Sequence, residues 1–155
     1  MPLHFHSSGL RKGRYSAPGH AYLITTVTRA RRPLFVEMRP ARLVINAIRY
    51  HAEQGHVEPL AYVLMPDHLH WMFVLREPLS LPKLMASVKG YSARQINRLM
   101  AESDDSAVWQ PGYHDHAVRQ DEDLRAMARY VIANPIRAGL VKCVGDYPYW
   151  DAVWL

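Results

Sequence analysis

The sequence has a single cysteine, Cys143, in its 155 residues. One thiol cannot form an internal disulfide, and it excludes the cysteine clusters that hold structural zinc. No apolar run approaches the ~18 residues that read as a membrane-spanning helix, so no membrane partner is expected. The N-terminal segment also lacks the apolar core of a secretory signal. These absences predict a cytoplasmic protein in a reducing compartment.

The positive charge is unevenly distributed along the chain. The formal net charge is +5, but residues 1–49 carry +8 and the remainder carries −3. A basic segment joined to a remainder whose charges nearly cancel predicts a face that binds a polyanion such as nucleic acid. The alternative is a solvated basic arm without a partner. Two groups of basic residues are the candidate contacts. They are Arg11, Lys12 and Arg14 in an irregular N-terminal arm over residues 1–19, and Arg29, Arg31 and Arg32 in a turn.

The spacing of apolar residues predicts one α+β domain over residues 1–155. Alternating residues predict strands over 22–28, 57–65 and 68–75, with a fourth inside 108–118. Helical spacing predicts helices over 40–55, 80–99 and 121–133, with Ser80 as an N-cap. The order β-α-β-β-α-β followed by a C-terminal helix predicts a ferredoxin-like antiparallel sheet with helices on one face. Four aromatic residues between 146 and 155 predict that the tail packs back on the domain.

Two histidines lie two residues apart on the third predicted strand. His68 and His70 flank Leu69, and residues at this spacing point to the same face of a sheet. Their imidazoles can therefore reach one metal ion, although the spacing by itself favours a hydrogen-bonded pair without a metal. A second pair with the same spacing, His114 and His116, is interpreted as sheet surface or as facing DNA.

A tyrosine and an asparagine lie four residues apart on the last predicted helix. Tyr130 and Asn134 fall on one helical face, and an amide oxygen is a hard ligand that suits Mg²⁺ or Mn²⁺. The alternative is that Tyr130 packs in the core and that Asn134 caps the helix before Pro135.

These segments together resemble the IS200-like Y1 transposases, which belong to the HUH class of single-strand endonucleases. The hairpin over residues 62–70 is similar to the family's histidine strand. The rest of the signature is matched by residues 109–110, 113–119 and 130–140, and the closing residues 146–149 fit it too. The opening segment, from residues 13–16 to residues 33–35, is similar to the branch called REP-associated tyrosine transposases. The resemblance covers residues 9–155.

The resemblance implies a metal-dependent nuclease and strand-transferase that acts on single-stranded or hairpin DNA from repetitive palindromes. It implies that Tyr130, on the C-terminal helix, is the nucleophile and forms a 5′-phosphotyrosine. His68, His70 and Asn134 would hold Mg²⁺ or Mn²⁺. Some relatives of this kind are homodimers, so the oligomeric state stays open.

Two alternative functions remain at this point, and so do two alternative nucleophiles. The chain could be a domesticated hairpin-binding module that no longer cuts DNA, or an unrelated metal-dependent hydrolase. Tyr91 and Tyr113 are rival nucleophiles; Tyr91 lies on an apolar helical stripe and is expected to pack, whereas Tyr113 is less excluded.

Overall fold

The structure is a computed structural model that describes residues 20–119 and 122–154. The predicted arm with Arg11, Lys12 and Arg14 lies outside the described residues. The strands are β1 (Ala21–Val27), β2 (Val57–Met65), β3 (His68–Leu75), β4 (His114–Ala117) and β5 (Trp150–Ala152). The helices are α1 (Met38–Glu53), α2 (Leu81–Leu99), α3 (Leu124–Ile132) and α4 (Asn134–Arg137).

The five strands form one antiparallel sheet in the order β4-β1-β3-β2-β5. The first four strands have the ferredoxin-like order, which confirms the predicted fold class. β3 lies at the centre between β1 and β2, so both of its edges are hydrogen-bonded. The centre of the sheet is therefore the most constrained place for a side chain that must be held in position.

The two faces of the sheet are covered by different helices. Trp71 and Phe73 of β3 face α1 and α2, whereas Met72 faces α3 through Met127 and Val131. The prediction that the helices share one face is therefore correct for α1 and α2 and wrong for α3. Strand alternation explains the split, because β3 is apolar on both sides and each side needs a cover.

Side-chain caps set where two helices begin. Ser80 Oγ accepts a hydrogen bond from the Lys83 N–H at 3.4 Å, which confirms the predicted cap of α2. Asp123 Oδ1 accepts from the N–H groups of Arg125 and Ala126, so α3 begins at Leu124 rather than at the predicted residue 121. Such a cap stabilises a helix by about 1 kcal/mol.

The C-terminal tail packs against the sheet as predicted. β5 adds to the edge of β2, with Trp150 opposite Val63 and Ala152 opposite Ala61. The buried Tyr147 donates its hydroxyl hydrogen bond to the carbonyl of Leu64. Within residues 20–119 and 122–154, no helix is long and apolar enough to cross a membrane.

Candidate active site

His68 and His70 lie on the sheet face that α3 covers. His70 is opposite Thr25 of β1 and Val63 of β2, and His68 is opposite Val27 and Met65. The two ring centroids are 4.8 Å apart and the ring planes are nearly perpendicular. The central strand therefore presents two imidazoles side by side.

Each imidazole is held through its Nδ1 atom. His68 Nδ1 is 2.6 Å from Asp67 Oδ1, and His70 Nδ1 is 2.8 Å from Thr25 Oγ1. Histidines that bind metals in proteins characteristically use one ring nitrogen for such an outer partner and the other for the ion. With Nδ1 engaged in both rings, Nε2 is the nitrogen through which either residue would bind a metal.

The donor set fits a divalent ion with open positions. Two neutral imidazoles leave the charge of the ion intact, and an amide or water oxygen can complete its coordination. In the described part of the chain, no group of three or more His, Cys, Asp or Glu residues is placed to hold a metal. Any site built on this pair therefore needs a ligand of another type, such as Asn134 or substrate oxygen.

The charges of the two neighbouring groups are set by their surroundings. Burial first, and then the nearby charges of His68 and Arg137, lower the pKa of His70 to about 3, so this ring is neutral at pH 7. Burial acts to raise the pKa of Asp67, but hydrogen bonds from His68 and Arg31 outweigh it and hold that pKa below its usual value. Asp67 is therefore a carboxylate that can accept the Nδ1–H of His68.

The predicted basic turn after β1 lies against this carboxylate. Arg31 Nη1 is 3.1 Å from Asp67 Oδ2, and Arg32 forms a longer pair with Glu102 at 3.7 Å. The buried Thr28 hydroxyl contacts the carbonyls of both Arg32 and Asp67, which ties this turn to the β2–β3 turn. Two of the three arginines in this turn are thus paired with carboxylates, and the partner of Arg31 lies next to the histidine strand.

This turn has an unusual backbone. Ala30 and Arg31 have φ values of 55° and 51°, in the left-handed region that residues with a side chain rarely adopt. Two such residues in succession cost of order 1–3 kcal/mol each. The hydrogen bonds from Thr28 to the carbonyls of Arg32 and Asp67 oppose that cost and hold Arg31 in place.

Tyr130 lies in the last turn of α3 and is 54% exposed. The interpretation that it packs in the core is therefore wrong. Arg137 from α4 lies over its ring, with the guanidinium carbon 3.8 Å from the ring centroid, and donates a hydrogen bond to the Tyr130 carbonyl at 2.6 Å. One arginine thus holds both the backbone and the ring of an exposed tyrosine.

Asn134 begins α4 and does not continue α3, which ends at Ile132. Pro135 has no N–H to donate to the carbonyl of Val131, four residues earlier. Asn134 Nδ2 supplies that donor at 2.7 Å. The alternative that Asn134 caps the helix is therefore correct for its amide nitrogen, which donates to the Val131 carbonyl. The Oδ1 oxygen of Asn134 is not used in this bond.

Arg137 contacts the tyrosine segment and acts electrostatically on the histidine strand. Its charge contributes to the lowered pKa of His70, and its guanidinium stacks on Tyr130. Sequence reasoning missed Arg137, Asp67 and Thr25 as parts of the site. Asp67 and Arg137 lie within the segments that carry the family resemblance, whereas Thr25 had no local signal.

The second histidine pair does not form a matching site. His114 is exposed, whereas His116 is buried and its Nε2 lies 3.0 Å from both carboxylate oxygens of Glu122. The surface interpretation is therefore correct for His114 and wrong for His116.

The two rival tyrosines differ in their position relative to His68 and His70. Tyr91 is 42% exposed on α2 and does not pack as expected, but α2 covers the opposite face of the sheet. Tyr113 is half-buried and immediately precedes β4, whose neighbour β1 pairs with the histidine strand. The position of Tyr91, on the opposite face of the sheet from His68 and His70, therefore argues against it as the nucleophile more strongly than the position of Tyr113 does.

Comparisons of the sequence with a family profile and with individual proteins all indicate the same family. A sequence profile described as "Transposase IS200 like" matches residues 16–134. A REP-associated tyrosine transposase of Escherichia coli K12 is 27% identical over 139 residues, which is 88% of this chain and 78% of that protein. A Haemophilus influenzae protein provisionally named a REP-associated tyrosine transposase is 28% identical over 120 residues, 67% of this chain and 64% of that protein. The chain thus spans slightly less than two thirds of the Haemophilus relative.

A solved structure has the same fold. It is described as a REP-associated tyrosine transposase bound to a REP hairpin, and its TM-score with this chain is 0.70 at 25% identity. The match covers 88% of this chain and 79% of the solved one.

Proposed function

The chain belongs to the IS200-like transposase family of DNA-processing enzymes, and from this premise we propose a specific activity. It is a metal-dependent single-strand DNA endonuclease and strand-transferase that cleaves hairpin-forming repetitive palindromic DNA through a 5′-phosphotyrosine. The observation that carries the proposal is the pair of adjacent imidazoles, with ring centroids 4.8 Å apart and each Nδ1 engaged, together with an exposed Tyr130 whose ring is held by Arg137. The charge of Arg137 also contributes to the low pKa of His70.

His68 and His70 would hold Mg²⁺ or Mn²⁺ through Nε2, with Asn134 Oδ1 as the third protein ligand. A divalent ion bound there supplies Lewis-acid stabilisation of the negative charge that develops on the phosphoryl oxygens. Asp67 and Thr25 orient the two rings, and the low pKa of His70 keeps protons from competing for its nitrogen at pH 7. Asn134 can contribute Oδ1 while its Nδ2 keeps the bond to Val131.

Tyr130 would attack the scissile phosphate in line with the leaving oxygen. The phenol would release its proton to solvent water as a bond forms between the phenol oxygen and phosphorus. The bond from phosphorus to the 3′ oxygen breaks, and that oxygen takes up a proton from water and leaves as a 3′-hydroxyl. The 5′ side of the strand stays on Tyr130 as a phosphodiester, so a later 3′-hydroxyl can displace it without ATP. Arg137 holds the ring in position for both steps.

The DNA partner is proposed to be a hairpin with an unpaired flank. The relative described as bound to a REP hairpin supports this substrate class. Arg29, Arg31 and Arg32, together with Arg11, Lys12 and Arg14 of the arm, would contact backbone phosphates, which position the DNA without reading its sequence. Arg31 would do so while its guanidinium also contacts Asp67.

A cleavage assay with a labelled hairpin oligonucleotide and Mn²⁺ tests this proposal. We expect a covalent protein–DNA band with the native protein and none with Tyr130→Phe, which keeps the ring that Arg137 stacks on and removes only the hydroxyl. His68→Ala should also abolish the band, because one imidazole cannot hold the ion alone. Tyr91→Phe, on the opposite face of the sheet, is the matched control and should leave the band intact.

The same assay separates the alternative functions. Tight hairpin binding without cleavage under any metal would favour a domesticated binding module. Cleavage that persists in Tyr130→Phe without a covalent band would favour hydrolysis by water.

A further inference from the structure

A cavity opens between α1 and α2, which cover the face of the sheet opposite His68 and His70. Its volume is about 380 Å³, within the roughly 300–1,000 Å³ that is usual for small-molecule pockets. The rings of Tyr50 and Tyr91 are part of its lining. None of its described lining residues has a part in the DNA cleavage proposed above, so this cavity needs an explanation of its own.

A buried histidine and an exposed serine meet in this cavity. His51 of α1 is only 4% exposed, and its Nε2 lies 3.0 Å from Oγ of the exposed Ser87 of α2. A serine inside a helix often returns its hydroxyl to the carbonyl four residues earlier, as Ser92 does to Val88 at 2.7 Å. The Ser87 hydroxyl instead contacts an imidazole on the neighbouring helix.

The end of α1 supplies a second imidazole. Gly55 has a φ of 76° and donates its N–H to Ala52, while the His56 N–H donates to the His51 carbonyl at 2.9 Å. This is the Schellman arrangement, which brings the residue after the glycine back beside the last turn of the helix. The Nδ1 atoms of His51 and His56 are therefore 2.8 Å apart.

The three side chains have the connectivity of a nucleophile, a base and an orienting group. An activated serine has a base within about 2.6–3.2 Å, and a third group holds the other nitrogen of that base. Here Ser87 is on Nε2 of His51 and His56 is on Nδ1. When His56 Nδ1 accepts the Nδ1–H of His51, the Nε2 lone pair of His51 is left to accept the serine proton.

The base is also in the protonation state that this role needs. Burial first, and then the charge of His56, lower the pKa of His51 below its ordinary value of 6.5. The ring of His51 is therefore unprotonated at pH 7 and can take up a proton. A base that is already charged could not do so.

The cavity contains donors for an oxygen that becomes negative during attack. Ser87 lies within α2, where backbone N–H groups bond along the helix, so such donors come from side chains. Asn46 and Arg94 both line the cavity. A β-carbon at Gly90 would lie 3.4 Å from Arg94 Nη1, so the guanidinium turns back along α2 toward Ser87.

We propose that Ser87, His51 and His56 form a second reactive centre, which transfers the acyl group of a small carboxylic ester to Ser87 and then to water. Ser87 Oγ bonds to the ester carbonyl carbon and gives its proton to His51 Nε2. The bond from that carbon to the alcohol oxygen breaks, and the alcohol leaves with the proton from His51. Water then attacks the acyl-serine through the same base, which releases the acid and restores the Ser87 hydroxyl.

Covalent labelling with a fluorophosphonate tests the centre. The serine oxygen bonds to phosphorus and fluoride leaves, so the labelled residue can be mapped by peptide mass spectrometry. We expect the label on Ser87 of the full-length protein, in EDTA so that no metal contributes. Ser87→Ala, which removes an exposed hydroxyl and suits a helix, should lose it. Ser103→Ala is the matched control, because Ser103 is also exposed but contacts the Asp105 carboxylate.

The two histidines are tested by the rate of labelling. His51→Gln keeps a polar side chain but no base, and should slow labelling by about 100-fold or more, as expected for a positioned general base. His56 is a positioning residue, so His56→Ala should also slow it. His56→Asn should restore the rate, because Oδ1 of asparagine occupies the place of histidine Nδ1 and accepts the same proton. A merely structural role of His56 would not give this rescue.

Turnover is measured with p-nitrophenyl acetate in EDTA. Release of p-nitrophenolate should fall in Ser87→Ala and stay unchanged in Tyr130→Phe, which lies on the other face of the sheet. The inference is overturned if Ser87 is not labelled, if His51→Gln is labelled as fast as the native protein, or if p-nitrophenolate release is unchanged in Ser87→Ala. Each of these results would leave the proposed DNA cleavage standing, because Ser87→Ala should form the covalent DNA band in either case.

Discussion

Asp67→Asn should weaken metal binding at the histidine pair by about 10-fold. Asp67 Oδ1 accepts from His68 Nδ1 at 2.6 Å, a length typical of a charge-assisted hydrogen bond. Asparagine keeps an acceptor of similar shape but loses the charge that makes His68 Nε2 a stronger donor of its lone pair. Removing such an outer partner typically costs 10- to 100-fold in metal affinity, or about 1.4–2.7 kcal/mol. The Asp67 side chain is 24% exposed, so solvent screening favours the lower end.

The assay measures the affinity for Mn²⁺ in the absence of DNA. Binding is detected by calorimetry or by the loss of the electron paramagnetic resonance signal of free Mn²⁺. Glu58→Gln is the matched control, because Glu58 is also a carboxylate of the β2–β3 hairpin that pairs with an arginine, Arg76, but it lies at the other end of β2. It should bind Mn²⁺ like the native protein. The reasoning is refuted if Asp67→Asn and Glu58→Gln have the same affinity.

Three further predictions concern stability and DNA binding. Tyr147→Phe should lower the free energy of unfolding by about 1–2 kcal/mol in urea titrations, because the buried carbonyl of Leu64 loses its donor; an unchanged value would mean that the tail does not depend on this bond. The pKa of His70 is about 3 in the fold and its ordinary value is 6.5, so the unfolded chain takes up the proton first and stability falls as pH falls from 6.5 to 3. His70→Gln should therefore flatten the pH dependence of unfolding in EDTA by at most about 1.4 kcal/mol per pH unit, and parallel profiles for the two proteins would contradict this. Arg31→Ala should reduce the slope of log Kobs for the hairpin against log salt by about 1, whereas Arg76→Ala should not change it; equal slopes would remove Arg31 from the phosphate contacts.

Local patterns in the sequence predict the central hairpin well. The predicted bounds of β2 and β3, residues 57–65 and 68–75, are those of the structure. The reason is that these strands are long and apolar and are separated by Pro66-Asp67, a strong turn signal. The same two-residue period correctly places the side chains of His68 and His70 on one face.

The outer partners of the site depend on contacts that no local pattern contains. Thr25 reaches His70 across 45 residues of sequence, through the register of β1 against β3. Arg31 reaches Asp67 because two left-handed residues turn the chain back toward the next hairpin. A basic cluster in a sequence indicates a charge, but not which carboxylate it contacts.

The tyrosine segment shows how one residue changes a local prediction. Four-residue spacing places Tyr130 and Asn134 on one continuous helix, whereas Pro135 ends α3 and starts α4. The break brings Arg137 back over Tyr130. This contact follows from the geometry of the break and could not be derived from helical periodicity.

Mapping the covalent adduct by peptide mass spectrometry tests whether Tyr130 is the nucleophile and whether His68 and His70 are needed for its reaction. The native protein is incubated with a hairpin oligonucleotide and Mn²⁺, digested with protease and nuclease, and searched for a nucleotide remnant on tyrosine. We expect a 5′-phosphonucleotide on Tyr130 alone, formed only when His68 and His70 are both present. An adduct on Tyr113 or Tyr91, or one that forms without the two histidines, would contradict it.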